Sequence, residues 1–199
     1  LVLDVHEQGS VPRNPGFQVL HWHEDLQFVY VFEGSAELQT LEESVRLKAG
    51  EGVFLNKNVV HQILQGEGCH YNSFLFPEQF LKFYPGSPAA DLVEKITTNQ
   101  ALPYLFLHPD GAWQTAVLQQ LHELAELEWH KTVFYPYEVL TRLVSLWLIL
   151  QKNVSLPPQK QENAVNTRMR CFLQYVETHY SEEITLEQLA QSAHVSKSE

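Results

Sequence analysis

Residues 21–34, H-W-H-E-D-L-Q-F-V-Y-V-F-E-G, decide how the first half of the chain folds. The part from residue 26 to residue 33 is rich in β-branched and aromatic side chains and stops at Gly34, which is typical of a strand followed by a turn. His21 and His23 are two residues apart, and side chains along a strand repeat every two residues, so both imidazoles would share one face. The stretch therefore predicts a strand with two histidines at its approach.

The sequence around this stretch repeats the pattern of short apolar strands and turns. The predicted strands are residues 17–23, 26–33, 36–41, 44–48, 53–56, 60–65 and 70–76, preceded by an arm or irregular first strand in residues 1–16. Many short strands at regular spacing indicate a β-sandwich or a β-barrel.

A second motif, A-G-E-G-V-F-L-N-K-N-V-V-H at residues 49–61, narrows this choice. Together the two motifs resemble those of a cupin barrel, the double-stranded β-helix. In metal-binding cupins the first motif supplies two His and a Glu, and the second supplies one His. The resemblance places His21, His23 and His61 at the histidine positions. Gln27 stands where the Glu would be, and the second motif lacks its usual Pro and Gly before His61.

The same residues leave two ligand classes open. An amide is a poorer ligand for a divalent transition metal than a carboxylate, so we expect a barrel without metal or cofactor. Three imidazoles could still hold zinc with an open position, and the alternative function is a metal-dependent cupin enzyme, dioxygenase or isomerase-like. The barrel interior would otherwise bind a small-molecule effector, such as a sugar, an aromatic acid or a lipid-like amphiphile.

The candidates for effector binding are the polar and apolar side chains expected inside the barrel. They are His21, His23, Gln27, Val29 and His61, with aromatics such as Phe28 or Tyr30 according to the register. Each of these aromatics could equally be ordinary core. We assign no catalytic residue.

The middle of the chain predicts helices. A short helix at 91–96, a strand at 104–107 and a helix at 112–130 precede one that has Pro136 in its first turn and runs to about residue 151. Apolar residues surround this last helix, whereas a surface helix usually buries one stripe. We therefore expect a homodimer through it, and the candidate contacts are Val139, Leu143, Leu146, Ile149 and Leu150.

The last part of the chain carries two more helices. Residues 169–180 have one apolar face, and Thr185 with Gln188 three residues later predicts a capped helix to about residue 193. A turn follows, and Ser196 with Glu199 would cap a third helix. Helix, turn and helix start is the layout of a helix-turn-helix, although a plain three-helix packing motif has the same spacing.

The sequence I-T-L-E-Q-L-A-Q-S-A-H-V-S-K-S-E, residues 184–199, resembles the first helix-turn-helix of AraC-type transcription regulators. The resemblance rests on a set of apolar and capping residues: Ile184, Leu186, Leu189, Ala190, Ala193, Val195, Ser196 and Ser198. It implies a DNA-binding regulator that is not an enzyme, with Ser196, Lys197 and Ser198 in the DNA-binding region. Operator or promoter DNA, a small-molecule effector and a second copy are the expected partners, and RNA polymerase is a candidate partner.

These expectations define an α+β protein with a cupin-like effector-binding and dimerisation domain at residues 1–152. A proline-containing linker at 153–166 and the first part of a helix-turn-helix domain at 167–199 follow. The family continues beyond this point, so we expect the chain to be part of a longer protein. We also expect that its 199 residues do not bind an operator specifically by themselves.

The amino-acid composition limits which partners and which cellular compartment we expect. The net charge is -11, which disfavours nucleic-acid binding by this part of the protein, because phosphate contacts need Lys and Arg. The two cysteines are Cys69 and Cys171, far apart in sequence, so reduced thiols rather than a disulfide framework are expected. No apolar run reaches the length of a membrane span. We expect a bacterial cytoplasmic protein without membrane contact.

Overall fold

The structure, a computed structural model, describes residues 2–6, 9–14, 18–159 and 163–196. The strands of this part of the chain are β1 (Val2–His6), β2 (Gly9–Val11), β3 (Leu26–Glu33), β4 (Ser35–Thr40), β5 (Ser44–Lys48), β6 (Gly52–Leu55), β7 (His61–Gln65), β8 (His70–Phe76) and β9 (Tyr104–Leu107). Its helices are α1 (Gln79–Lys82), α2 (Ala89–Thr97), α3 (Ala112–Trp129), α4 (Tyr135–Asn153), α5 (Ala164–His179) and α6 (Leu186–Ser192).

The strands form two antiparallel sheets. The larger sheet has the order β2-β1-β8-β3-β6-β9, and the smaller has the order β5-β4-β7. Their facing sides enclose one apolar core, to which the large sheet contributes Val29, Val31, Val53 and Tyr71 and the small sheet contributes Leu38, Leu47 and Ile63. This arrangement fits the predicted cupin-like barrel with helices.

The helices cover the outer side of the large sheet. Alternation along β3 directs Val29 and Val31 into the barrel, so Phe28 and Tyr30 lie on the opposite side. Phe28 packs at a tilt against Phe54 there, with ring centroids 5.0 Å apart, and Phe54 contacts Trp147 of α4 with ring centroids 5.7 Å apart. The aromatics that could have lined the barrel interior are therefore core residues between sheet and helices.

The burial of α4 corrects the predicted dimer contacts. Leu143, Leu146 and Leu150 are at most 3% exposed within the single chain, where they pack against the sheet and α3. Val139 and Ile149 are partly buried against the same core. The three leucines are not available to a second subunit, because the chain itself covers them, whereas Val139 and Ile149 stay partly exposed. The sequence pattern did not show that the sheet and α3 already cover the leucine side of the helix.

Two further predictions differ from the structure. Residues 18–23 form no strand and contribute one isolated bridge, between His21 and His61; Phe17 lies outside the described residues. The helix α5 begins at Ala164, inside the segment predicted as a linker, with Asn163 as its N-cap. In the described part of the chain, no helix is both long and apolar enough to cross a membrane.

The end of α6 follows its predicted local chemistry. Thr185 and Gln188 form the expected capping box. After the helix, the Val195 amide donates to the Ala190 carbonyl and the His194 amide donates to the Gln191 carbonyl. His194 has φ +56°, so this is a Schellman turn with a left-handed residue after the cap. The predicted cap at Ser196 depends on Glu199, which lies outside the described residues.

Candidate functional site

Three histidines converge at one end of the barrel, and we call His21, His23 and His61 the histidine cluster. One ring nitrogen of each lies within 4.8 Å of the others. The ring centroids are 4.6 Å apart for His21 and His61, and 5.2 Å apart for His23 and His61. The sequence predicted this grouping from strand alternation, but the structure achieves it with an irregular segment.

Backbone pairing fixes this segment against the start of β7. His21 and His61 exchange two main-chain hydrogen bonds of 2.9 Å, and the Asn58 amide donates to the His23 carbonyl at 2.8 Å. The two motifs that are 40 residues apart in sequence are thereby held side by side. The rings therefore meet because their backbones are paired.

All three rings are oriented by the same kind of hydrogen bond. The Nδ1 atoms of His21, His23 and His61 lie 2.7, 2.8 and 2.9 Å from the carbonyl oxygens of Val19, Asp25 and Val59. A carbonyl can only accept, so each Nδ1 carries the proton and each Nε2 keeps its lone pair. Histidines that bind metals are typically held in this way, by a bond from the nitrogen that does not bind the ion.

The electrostatics keep at least two of the rings neutral. Burial, reinforced by the neighbouring His21, lowers the pKa of His61 to about 3. Burial also lowers the pKa of His21, against an opposing effect of its hydrogen bond to Val19. Neutral imidazoles are the form that binds metals, so neither ring has to lose a proton at neutral pH.

Two observations test whether these residues fit an ion. Within the described residues, the buried Nε2 of His61 has no hydrogen-bond partner, an arrangement that costs free energy in a folded protein. The Nε2 atom of His23 lies 3.1 Å from Oε1 of Gln27. Two acceptors would repel each other, so this contact implies a cation between them, a proton on Nε2 or a reversed amide.

Gln27 is held beside the cluster by Ser73, whose hydroxyl can pair with either end of the amide. Its Nε2 donates to the Ser73 hydroxyl at 2.7 Å, and the residue is 4% exposed. Three imidazole nitrogens and one amide oxygen suit a zinc-class ion, although the amide binds more weakly than a carboxylate. The cluster fits such an ion, and this favours the alternative that the sequence had left open. A bound ion would supply a positive charge and a position for a further ligand.

The other predicted effector residue lies elsewhere. Val29 has no exposed surface and packs in the barrel core, so it does not line an open space. A cleft of about 540 Å³ instead lies outside the barrel, beside the start of α5. Thr40, Glu42, Val60, Tyr104 and Asn166 are among its lining residues. Sequence reasoning did not identify this cleft, because it depends on where α5 packs.

The helix α5 lies next to the histidine cluster through polar contacts. The Asn166 side chain binds the backbone just before His61, and the Arg170 guanidinium lies 5.5 Å from the centroid of the Trp22 ring. Ser196 is exposed at the end of the described chain, and Lys197 and Ser198 lie outside the described residues. The structure thus describes neither Lys197 nor Ser198.

A second group of histidines lies on the outer side of the large sheet. Asp4 is within 3.0 Å of the Nε2 atoms of both His6 and His70, and it also accepts a hydrogen bond from Asn72. The two imidazole rings stack with centroids 4.1 Å apart. These hydrogen bonds satisfy Asp4 without an ion. Sequence reasoning did not predict this group, because residues 1–16 were expected to form only an arm or an irregular first strand.

Comparisons with known proteins agree with the predicted cupin barrel. A cupin domain model (Cupin_2) matches residues 10–68. The uncharacterized HTH-type transcriptional regulator YdeC of Bacillus subtilis (strain 168) is 30% identical over 193 residues. That alignment covers 92% of this chain and 64% of the relative, so the chain spans less than two thirds of the relative's length. The predicted resemblance to a helix-turn-helix regulator with a cupin domain is confirmed by these matches.

Solved structures give weaker similarities. The AraC-like transcriptional activator CuxR has a TM-score of 0.47 and 14% identity, over 88% of this chain and 59% of that chain. Apo ToxT K231A from Vibrio cholerae strain SCE256 has a TM-score of 0.49 and 14% identity, over 99% of this chain and 71% of that chain. Both values are too low to bear on the function.

Proposed function

We propose that this chain, which has a cupin domain and resembles AraC-type transcription regulators, senses a small ligand in its barrel and controls transcription through its helix-turn-helix segment. The observation that carries the proposal is the similarity to a helix-turn-helix regulator along 92% of the chain. A shared order of sensor and helix segment supports one coupled protein rather than an isolated binding module. The protein acts in the cytoplasm as a non-enzymatic regulator.

The C-terminal helices supply the DNA-binding part of this proposal. The Schellman turn ends α6 and leads the chain to Ser196, where we propose that the next helix begins. In a helix-turn-helix, that next helix enters the major groove. Ser196, Lys197 and Ser198 stay the proposed first residues of that reading element. The net charge of -11 means that the phosphate contacts must come from a few locally basic positions.

Selection from a random duplex library tests the DNA-binding proposal. The intact gene product is expected to enrich one sequence motif, and its affinity for that motif should fall steeply between low and moderate salt, because phosphate contacts release counterions. A duplex with the same composition and a shuffled motif is the control. Equal binding to motif and shuffled duplex at every salt concentration would contradict the proposal.

We further propose the effector class. The convergent Nε2 atoms favour a divalent transition-metal ion, bound by His21, His23 and His61 with the Gln27 amide oxygen beside them. Untagged protein is dialysed against zinc and its metal content is measured. We expect about one ion per chain, lost in His23→Ala and kept in His130→Ala, whose ring is exposed on α3. His6→Ala separates this cluster from the one around Asp4.

The affinity for the selected DNA motif, measured with and without zinc, distinguishes the sensor from the alternative enzyme. A cupin enzyme would need the ion for turnover, whereas a sensor needs it only to change DNA affinity. Zinc that binds but leaves the affinity for the selected motif unchanged would contradict the metal as effector. A small organic ligand in the cleft beside α5 would then be the remaining effector class, and the regulator itself would stand.

A further inference from the structure

One side chain joins the barrel to the C-terminal helices. Asn166 lies in the first turn of α5, where its Oδ1 accepts from the Val60 amide at 3.1 Å and its Nδ2 donates to the Asn58 carbonyl at 2.9 Å. Both ends of the amide are therefore used on main-chain atoms two residues apart. A helix held in this way must follow any movement of the segment that leads into β7.

That segment is part of the histidine cluster. His61 follows it directly, the Val59 carbonyl orients the His61 ring, and the Asn58 amide donates to the His23 carbonyl. The main-chain atoms that Asn166 binds thus lie next to the carbonyl that orients the His61 ring, and in the same residue as the amide that pairs with the His23 backbone. Any ligand that draws the rings together acts on the same backbone.

Two further polar contacts join α5 and its N-cap to the barrel. The Arg170 guanidinium lies over Trp22, between two of the histidines in sequence, and Asn163 donates to Glu42 at 2.6 Å. Among its described residues α5 has no fully buried side chain. Single polar contacts of this kind each contribute little free energy, so we expect the docked and undocked positions of α5 to be close in free energy. A ligand with a modest preference for one of them can shift the balance.

We propose that Asn166 transmits the state of the histidine cluster to α5, and through it to the helix-turn-helix segment. A ligand that joins His21, His23 and His61 holds residues 21–23 and 58–61 in the arrangement that Asn166 binds. The bound state therefore favours docked α5, and by reciprocity docked α5 strengthens binding of the ligand. This inference rests on the proposed sensor function and specifies how ligand binding would control the C-terminal helices.

The experiment compares the whole chain with Asn166→Ala, using zinc ions as the probe. Alanine is the better helix former, so faster exchange of α5 in this variant would reflect lost docking and not a weaker helix. The matched control is Asn153→Ala, whose side chain bonds only to Ile149 in its own helix. Amide hydrogen exchange is followed by mass spectrometry at residues 164–179 and 18–25, with and without zinc.

We expect zinc to slow exchange at 164–179 in the parent and in Asn153→Ala, and to have no such effect in Asn166→Ala. The dissociation constant for zinc should rise about 5-fold or more in Asn166→Ala, the lower end of usual coupling between sites. Equal zinc affinity together with unchanged protection of α5 would overturn the proposal.

A measurement without ligand keeps the test independent of the metal. The hydrogen bonds of Asn166 go to Asn58 and Val60 and not to residues 18–25, yet coupling through the paired backbones predicts faster exchange at 18–25 in Asn166→Ala than in Asn153→Ala. If zinc does not bind, the metal proposal fails and this comparison decides the coupling: faster exchange supports it, and unchanged exchange overturns it. Neither measurement involves DNA, so a failure of DNA binding is read separately.

Discussion

At the scale of single residues, the histidine cluster depends on which nitrogen of each ring is occupied. Three backbone carbonyls hold the Nδ1 atoms, so the lone pairs of the Nε2 atoms have fixed directions. The sequence predicted the three histidines and the missing carboxylate at Gln27. It could not predict the carbonyl contacts, because they depend on the irregular path of residues 18–23.

Gln27→Glu is expected to strengthen metal binding, since a carboxylate is the better ligand for a divalent ion. Without metal the variant should unfold more easily by about 1–3 kcal/mol, because a buried charge replaces a hydrogen-bonded amide. Titration calorimetry with zinc and chemical unfolding with and without zinc measure both effects. Gln62→Glu is the control, on β7 and bonded to Gln39. Equal zinc affinity of Gln27→Glu and the parent would contradict the assigned position.

A second residue-scale prediction concerns Glu78, which lies 3.0 Å from Lys57 and 2.9 Å from Lys82. Burial acts to raise the pKa of Glu78, but hydrogen bonds from these ammonium groups outweigh it and lower the pKa from 4.5 to about 2. A carboxylate whose pKa is lowered by folding stabilises the fold at pH values above the pKa that it has in the unfolded chain. Its contribution is complete above about pH 4.5 and is lost as the pH falls towards 2.

Glu78→Gln should therefore lower the free energy of unfolding by about 1–2 kcal/mol at pH 7, a partly exposed ion pair being screened by solvent. The difference from the parent should shrink as the pH falls from 4.5 towards 2. Urea unfolding at several pH values measures it. The matched change Glu94→Gln removes a more exposed partner of Lys82 and should have a smaller effect. A difference independent of pH would exclude the assigned cause.

At the scale of elements, the sequence predicted the bounds best for segments that bury apolar side chains. Strands β3, β5, β8 and β9 have the predicted bounds, because one side of each faces a core and leaves a periodic pattern. Segments 17–23 and 153–166 were assigned wrongly in part. The first is held by backbone pairing to β7, and the second includes the start of α5, whose docking on the barrel is polar. Neither feature leaves an apolar pattern in the sequence.

Exposed apolar side chains on α4 still indicate a homodimer, but through a different stripe of the helix. Tyr137, Leu140 and Leu148 are 76%, 37% and 48% exposed. The helical spacing puts Tyr137 and Leu148 opposite the buried leucines, and Leu140 beside them at the edge of the buried side. Apolar side chains in such a stripe are typical of an interface between chains. We propose this stripe as the dimer contact.

The paired substitution Leu140→Glu and Leu148→Glu should produce monomers, because two charges would be buried at each interface. Light scattering over a range of protein concentrations measures the mass. Leu92→Glu on α2 is the control, an exposed leucine of similar accessibility on another helix. Leu146→Glu is expected to unfold the chain instead, since Leu146 is fully buried within it. A monomeric parent, or an unchanged dimer in the double variant, contradicts the proposed contact.

At the scale of the whole molecule, the two parts of the chain differ in how they are held. The barrel and α2 to α4 share a continuous apolar core, whereas α5 adds no buried side chain among its described residues. We expect heating to release α5 and α6 before the barrel unfolds, as a small early transition in calorimetry. Asn166→Ala should move only this early transition to lower temperature, and Asn153→Ala should move neither. One symmetric transition, shifted as a whole by Asn166→Ala, would show a single cooperative unit.

The way Asn166 reaches the barrel also bears on how such proteins can diversify. Its two hydrogen bonds go to main-chain atoms, so they do not depend on which side chains stand at residues 58 and 60. A barrel could accumulate substitutions near its ligand site, and thereby change what it recognises, while the same asparagine continued to hold the helix. The barrel and the C-terminal helices can therefore be recombined between proteins. This requires only that the backbone path before His61 and the side-chain amide of Asn166 on α5 are retained.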